Sequence, residues 1–332
     1  MNSSSVNKKR ILSGMRPSGK LHVGHYWGAL VNWVRQQDEY KCFYMVADWH
    51  ALTSEYADTK DIESNVREMV IDWLAIGLDP QKSVIFRQSA VKQHAELFLL
   101  LSMITPLPWL ERCPTYKEQL REVTTRDLST YGFLGYPVLQ AADIMVYRAD
   151  AVPVGEDQLA HLELTREIAR RFNNFYGNTF PEPQALLSQS PRVPGIDNRK
   201  MSKSYGNSIL LSDDEDAVRS KVKQMFTDPV KIKLNDKGHP EGCVVHAFYK
   251  IYIESHEKRA AECKAGGTGC VACKKELSEA LITALKPLRE KRQVIAKDHA
   301  MVEVILKQGN EYACTVAEDT MKKVREAVKI LG

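Results

Sequence analysis

Two histidines lie three residues apart near the start of the sequence, in the segment His22-Val23-Gly24-His25. A short apolar run ending at Leu12 predicts a buried strand before it, and residues 13–20 (SGMRPSGK) predict a loop. From Val23 onward, apolar residues recur at the spacing of one helix face, which predicts an amphipathic helix. Because free N–H groups and the helix dipole converge where such a helix begins, this segment is suited to binding phosphate, and the imidazoles add donors there.

A basic loop far downstream is a second candidate for binding an anion. Residues 181–198 contain four prolines and predict an extended connection with one short strand near Val193. The loop that follows carries Arg199, Lys200 and Lys203. Lysine binds phosphate as a point charge, without the paired hydrogen bonds that an arginine guanidinium makes.

A polar stripe occupies a segment that is otherwise apolar. Tyr136, Gln140, Asp143 and Tyr147 recur at helical spacing. Pro137 suits the first position of this helix, so Tyr136 is predicted to be its cap. A solvated face usually carries more lysine and glutamate, whereas Asp143 is the only charged residue between positions 135 and 147. The stripe therefore indicates the wall of a ligand pocket.

Two polar residues, Asp48 and His50, end the strand that is predicted at residues 41–50 (KCFYMVADWH). Ligand groups in a parallel sheet lie at the carboxyl ends of the strands, so both residues are candidates for the site. The alternative is that His50 only caps the strand or bonds to a backbone group.

Four of the seven cysteines fall within a short stretch of the second half: Cys243, Cys263, Cys270 and Cys273. The last two form a C-x-x-C chelating pair, and the glycines of residues 264–269 allow the backbone to wrap around an ion or a cluster. Zinc and a 4Fe–4S cluster both accept four thiolates, and the spacing alone does not choose between them. The sequence shows no Ser-His-Asp or Cys-His pattern that would indicate a covalent nucleophile.

Strands that alternate with helices predict a parallel α/β sheet in the first part of the chain. Helical patterns dominate after residues 213–215 (DDE), so we place the domain boundary near residues 207–215. The net charge of +4 over 332 residues permits an RNA partner without indicating one. We expect a cytoplasmic protein, because residues 1–10 show no signal peptide and no apolar run approaches the roughly 20 residues of a membrane span.

The histidine segment and the basic loop together resemble a known pair of signatures. His22-Val23-Gly24-His25 resembles the HIGH signature of class I aminoacyl-tRNA synthetases, with valine in place of isoleucine. Lys200-Met201-Ser202-Lys203-Ser204 matches their KMSKS signature. The resemblance continues through residues 135–143 (GYPVLQAAD) and 152–158 (VPVGEDQ), which narrow it to tryptophanyl-tRNA synthetases of the bacterial type.

This resemblance implies activation of L-tryptophan with ATP and Mg²⁺, followed by transfer to tRNA(Trp). It implies a Rossmann-like catalytic domain at residues 1–210 and a helical anticodon-binding domain at residues 211–332. The catalytic residues would be His22, His25, Lys200 and Lys203. The residues implied to bind ATP are Arg16, Pro17, Ser18, Gly24, His25, Gly155, Glu156, Asp157, Gln158, Val193, Lys200, Met201, Ser202, Lys203 and Ser204.

The amino-acid pocket is implied in the same way, by Gly14, His50, Tyr136, Gln140, Asp143, Val152 and Val154. Asp143 would accept the indole N–H, which can only donate. The four cysteines would hold a 4Fe–4S cluster, although spacing alone also permits zinc. A homodimer is implied, with its interface at about residues 95–150. The predicted helix 95–103 is apolar on nearly every side, so it is buried either in the core or against another subunit.

Two alternative functions remain open at this point. A tyrosine-specific synthetase could use the same tyrosine and aspartate types to bind a phenol, but the AADIM and VPVGEDQ segments favour tryptophan. An RNA-binding or regulatory relative without catalysis is a different class, and the intact pair of signatures argues against it.

Overall fold

The computed structural model describes residues 8–122, 127–187, 193–202 and 205–330. Within these ranges five parallel strands form one sheet in the order β3-β2-β1-β4-β5. The strands are β1 (Arg10–Met15), β2 (Lys41–Val46), β3 (Ser83–Arg87), β4 (Ala151–Val154) and β5 (Gln184–Leu187). The strand order reverses between β1 and β4, and in such sheets the crevice at the carboxyl ends of those two strands is where ligands bind. The predicted parallel α/β fold is therefore confirmed.

Helices connect the strands and fill the C-terminal part of the chain. Those of the first part are α1 (Val23–His25), α2 (Val31–Glu39), α3 (Asp48–Glu55), α4 (Ile62–Ala75), α5 (Gln93–Ser102), α6 (Leu107–Glu111), α7 (Pro114–Glu122), α8 (Tyr131–Val146) and α9 (Leu159–Tyr176). The later ones are α10 (Glu215–Gln224), α11 (Val244–Tyr252), α12 (His256–Lys264), α13 (Cys270–Ile295) and α14 (His299–Ala327). A π-helical segment, Tyr26–Leu30, joins α1 to α2. None of the helices in the described ranges has the length and apolar character to cross a membrane.

Three strand boundaries differ from the prediction. β1 runs on to Met15 instead of ending at Leu12, because its register with β2 continues through the predicted loop residues. β2 ends at Val46, and Asp48 and His50 lie on α3. The Gln88 side chain accepts the backbone N–H groups of Trp49 and His50 at 3.1 and 3.3 Å, which satisfies donors at the start of that helix. β5 lies before the short strand expected near Val193, and among the described residues there Pro194 forms only an isolated β-bridge with Lys200.

Alternate residues of the strands enter different hydrophobic clusters. Ile11 packs with Trp33 and Trp73 on one side of the sheet, whereas its neighbour Leu12 packs with Phe43 and Val138 on the other. Helix α14 from the C-terminal part lies against β3, where a Cβ on Gly309 would be only 1.9 Å from the carbonyl oxygen of Ile85. The C-terminal part of the chain is thus packed on the sheet itself.

A buried ion pair connects the helical part to the loop before α1. Arg292 of α13 donates from Nε to Asp72 Oδ1 of α4 at 2.7 Å, and Asp72 is fully buried. The other oxygen of Asp72 accepts the backbone N–H of Leu21 at 3.4 Å. Burial raises the pKa of Asp72, although Arg292 acts in the opposite direction. This contact fixes the residue that directly precedes the histidine segment.

Candidate active site

A cavity of about 300 Å³ opens at the carboxyl ends of β1 and β4. The strands supply its floor and helix α8 supplies one wall. Its lining residues are Leu12, Ser13, Gly14, Arg16, Met45, Ala47, His50, Thr53, Gln119, Phe133, Tyr136, Gln140, Asp143, Ile144, Val152, Pro153, Val154, Gln158 and His161. All of the residues predicted to bind the amino acid lie in this lining. Gly14 is required there because a Cβ would be 2.8 Å from the carbonyl oxygen of Met45.

The polar stripe of α8 faces the cavity through three of its four members, Tyr136, Gln140 and Asp143. The start of the helix was predicted wrongly. α8 begins at Tyr131 with Thr130 as its N-cap, whose hydroxyl accepts from the N–H of Phe133, so Pro137 lies inside the helix. Tyr136 is therefore a helical residue and not a cap. The fourth member of the stripe, Tyr147, is fully buried.

Asp143 is only 2% exposed and accepts three hydrogen bonds. His50 Nε2 donates to Oδ2 at 2.7 Å, while His94 Nδ1 and Gln88 Nε2 donate to Oδ1 at 2.6 and 2.8 Å. Burial alone would raise the pKa of this carboxyl, but His50 and His94 outweigh it and lower the pKa overall. The cavity therefore contains an ionised acceptor that is held by neutral or positive donors.

A second cluster surrounds Tyr136. Its hydroxyl lies 3.1 Å from Nε2 of His161, which is also 2.5 Å from the Thr115 hydroxyl. The other ring nitrogen of His161 lies 3.4 Å from the sulfur of Cys113. Burial would raise the pKa of Cys113, but hydrogen bonds from His161 and Thr115 lower it to about 7. No local pattern in the sequence marks this Cys-His pair, because the two residues lie 48 positions apart and meet only when α9 packs beside the start of α7.

The two histidines of the first signature cap the helix that they begin. His22 Nδ1 accepts the backbone N–H of His25 at 3.2 Å, and His25 Nδ1 accepts that of His22 at 3.3 Å. The rings stack with centroids 3.6 Å apart. Because each Nδ1 accepts, each neutral ring carries its proton on Nε2, so both rings present N–H donors of the kind that phosphate oxygens accept.

The two signature segments meet in the structure. The N–H of Val23 donates to the carbonyl of Ile209 at 2.9 Å, and the N–H of Leu211 donates to the carbonyl of Leu21 at 2.9 Å. A Cβ on Gly24 would lie 3.4 Å from the sulfur of Met201, which is buried. The residues that follow the KMSKS segment therefore pair with the start of α1, and its methionine packs on the glycine between the histidines.

Asn207 organises the loop that carries the second signature. Its side chain accepts from the backbone N–H of Ser202 at 2.8 Å and donates to the carbonyl of Lys200 at 3.1 Å. It also donates to Asp197 at 2.8 Å. Lys200 is exposed, and Val193 is buried. The predicted residues Lys203 and Ser204 lie outside the described residues.

The remaining residues predicted to bind ATP lie in two short loops. Arg16 lines the cavity and donates to the Ser54 hydroxyl at 3.4 Å, and it is followed by buried Pro17 and exposed Ser18. After β4, Gly155 precedes a single 3₁₀ turn, Glu156–Gln158. Gln158 reaches the cavity, whereas Glu156 and Asp157 are exposed.

The four clustered cysteines line one small pocket in the C-terminal part. Cys243 precedes α11, Cys263 lies on α12, and Cys270 and Cys273 lie in the first turn of α13. Gly238 leaves room for the Cys263 sulfur, which would be 2.4 Å from a Cβ at that position. Among the described residues, no group of three or more His, Cys, Asp or Glu side chains is placed so that it could hold a metal ion. The fold therefore gathers the four thiols around one pocket without setting them in a coordination geometry.

Comparison with known proteins assigns the chain to a family. Residues 5–286 match the family described as tRNA synthetases class I (W and Y). The chain is 51% identical to the tryptophan–tRNA ligase of Thermotoga maritima, over 97% of this chain and 99% of that protein. It is 46% identical to that of Aquifex aeolicus, over 97% of this chain and 100% of that protein.

A solved structure supports the same assignment. The tryptophanyl-tRNA synthetase of Campylobacter jejuni, complexed with ADP and tryptophan, is 34% identical and aligns with a TM-score of 0.86 over 96% of this chain and 99% of that one. The chain therefore belongs to the class I tRNA synthetases of the tryptophan and tyrosine type. Within that class its resemblance to the bacterial tryptophanyl enzymes, predicted from the sequence, is confirmed.

Proposed function

We propose that this protein is a tryptophan–tRNA ligase, which activates L-tryptophan with ATP and transfers it to tRNA(Trp). The observation that carries the proposal is the position of Asp143: an ionised acceptor lies in a cavity of about 300 Å³ at the point where the strand order reverses. The indole N–H can only donate, so a buried acceptor suits it. Tyr136, Gln140, Val152 and Val154 provide the walls that contact the ring.

The reaction needs positioning and charge neutralisation more than a nucleophile from the protein. A carboxylate oxygen of tryptophan bonds to the α-phosphorus of ATP while the bond to the bridging oxygen breaks and pyrophosphate leaves. A ribose hydroxyl at the end of the tRNA then attacks the carbonyl carbon, and AMP leaves. Mg²⁺ bound to the phosphates supplies part of the charge neutralisation in the first step.

The residues of this chain that act on ATP come from the two signature segments and the adjacent loops. His22 and His25 donate from Nε2 towards the phosphates at the start of α1, and Gly24 allows the adenine to approach closely. Lys200 and Lys203 neutralise the departing pyrophosphate. The ATP site extends over Arg16, Pro17, Ser18, Gly155, Glu156, Asp157, Gln158, Val193, Met201, Ser202 and Ser204.

Exchange of labelled pyrophosphate into ATP, measured with each amino acid in turn, tests this function. We expect exchange that depends on tryptophan and is far slower with tyrosine or phenylalanine. Exchange with tyrosine alone would identify a tyrosine-specific synthetase instead. The absence of exchange with every amino acid, in a folded protein, would indicate a relative without catalysis.

We infer that the four cysteines bind a 4Fe–4S cluster, with zinc as the alternative. They line one pocket, which is where four thiolate ligands must be to hold either group. The cluster would be held by Cys243, Cys263, Cys270 and Cys273 and would order the loops of residues 211–332, the proposed anticodon-binding domain. Residues 1–210 would form the catalytic domain. The role of the cluster is structural, because it belongs to a different part of the fold from the cavity.

Replacing Cys270 with serine tests the cluster, because it removes one thiolate from the set. Protein purified without oxygen should be brown in the wild type and colourless in C270S. The matched control C314S, which changes a thiol on α14, should stay brown. C270S should keep tryptophan activation while charging of tRNA weakens. Colourless wild-type protein with one zinc per chain would contradict the cluster, and protein with no metal would contradict the site.

The exposed apolar side chains of α5, α6 and the turn between them suit a homodimer. Leu99, Met103 and Leu107 are 55, 70 and 57% exposed, and they come from α5, α6 and the turn between them. Large apolar side chains grouped in this way are typical of an interface. Sedimentation should give twice the mass of one chain, and Met103→Glu should shift it towards the monomer. A monomeric wild type would contradict the dimer.

A further inference from the structure

The carboxylate of Asp143 has little freedom in how it meets a ligand. An ionised carboxylate offers about four lone-pair positions, two on each oxygen. Oδ1 accepts from both His94 and Gln88, at 2.6 and 2.8 Å, so both of its positions are used. Oδ2 accepts from His50 at 2.7 Å and keeps one position. Because Asp143 lines the cavity, that position is the one that a ligand donor can reach.

The carboxylate of Asp143 and the hydroxyl of Tyr147 together determine which ring nitrogen of His94 carries the proton. The carboxylate can only accept, so His94 must donate from Nδ1. Its other nitrogen, Nε2, lies 2.8 Å from the hydroxyl of Tyr147, which donates to it in the neutral ring. Burial raises the pKa of Tyr147 well above its usual range, so the hydroxyl keeps its proton. Both residues are fully buried, and neither lines the cavity.

We propose that His94 is a positioning residue that determines specificity: held by Tyr147, it fixes the Asp143 carboxylate so that one lone pair of Oδ2 faces the amino-acid ring. This inference rests on the proposed function, since it concerns how the same site recognises tryptophan. A fixed acceptor with one open position favours an indole N–H, whose direction is set by the rigid ring. Without the bond from His94, the carboxylate can rotate and the open position no longer meets that N–H.

The test compares tryptophan with benzothienylalanine, in which sulfur replaces the indole N–H and the shape is nearly kept. The measured quantity is the ratio of kcat/KM for the two compounds in pyrophosphate exchange. A hydrogen bond to a charged group gives roughly a tenfold to hundredfold preference for tryptophan in the wild type. His94→Leu removes the donor, and the preference should fall by about tenfold.

Two further variants separate positioning from simple loss of structure. His94→Asn places an amide N–H where Nδ1 was, so the preference should stay within about threefold of the wild type. Tyr147→Phe removes only the hydroxyl that selects the tautomer, and it should lower the preference by roughly threefold. Cooperative thermal unfolding of each variant checks that it is folded.

Several outcomes would overturn the proposal. One is an equal fall in kcat/KM for both compounds in His94→Leu, with the ratio unchanged, since that is the effect of a merely structural residue. If His94→Leu does not fold, an unchanged ratio in Tyr147→Phe overturns it instead. A wild type that activates both compounds equally well also overturns it. A wild type that does not activate tryptophan at all would refute the proposed function itself, which is a distinguishable result.

Discussion

Replacing Lys200 and Lys203 together with alanine slows the formation of tryptophanyl-adenylate by about 10²–10³-fold, the usual effect of removing a group that stabilises developing charge. Both lysines should act on the pyrophosphate as its charge develops in the transition state, and neither should contact the amino acid. Equilibrium binding of tryptophan should therefore be nearly unchanged. Single-turnover rates and binding titrations measure the two quantities separately.

The structure provides a suitable loop for this experiment. Lys200 is exposed, and the loop is anchored through its backbone by Asn207 and by the burial of Met201. The change to alanine should therefore leave the loop in place. Lys307→Ala, which removes an exposed lysine from α14, is the matched control and should have no effect on either quantity. A variant whose tryptophan binding collapses while its rate per bound complex is retained would contradict the assignment of this loop.

The sequence predicts helices and their polar faces correctly where the pattern involves only residues close together in the chain. Helix α1 begins at Val23, where the apolar periodicity starts, and the polar stripe of α8 faces the cavity through Tyr136, Gln140 and Asp143. The start of α8 could not be predicted from Pro137. A proline at the first helical position and one inside a helix give the same local pattern, and the outcome depends on the Thr130 cap.

The partners of Asp143 could not be predicted because they come from other elements. Gln88 follows β3, and His94 lies on α5, so nothing in the local sequence marks either residue as part of the amino-acid site. The packing of α5 against α8 brings His94 to the carboxylate, whereas Gln88 reaches it from the turn after β3. The same is true of His161, whose contact with Tyr136 requires α9 to pack beside α8. In the sequence, His94 is visible only as a histidine at the start of an apolar helical pattern. Such a histidine is more often a residue of the core than part of a ligand site.

Replacing Asp143 with alanine should abolish most of the discrimination between tryptophan and phenylalanine. The acceptor for the indole N–H is lost, and phenylalanine has no such group to lose. A hydrogen bond to a buried charge contributes roughly 1.5–3 kcal/mol, so the ratio of kcat/KM for the two amino acids should fall by about one to two orders of magnitude. The ratio is measured by pyrophosphate exchange over a range of concentrations of each amino acid.

Stability must be measured on the same variant, because Asp143→Ala also leaves the donors of His50, His94 and Gln88 without their acceptor. Unpaired buried donors destabilise a protein, so we expect a lower Tm as well. That loss affects both amino acids equally and cancels in the ratio, whereas the loss of the indole contact does not. Asp143→Asn keeps an amide oxygen that can still accept, so its selectivity should fall less. An unchanged ratio in a folded Asp143→Ala would show that another residue recognises the indole N–H.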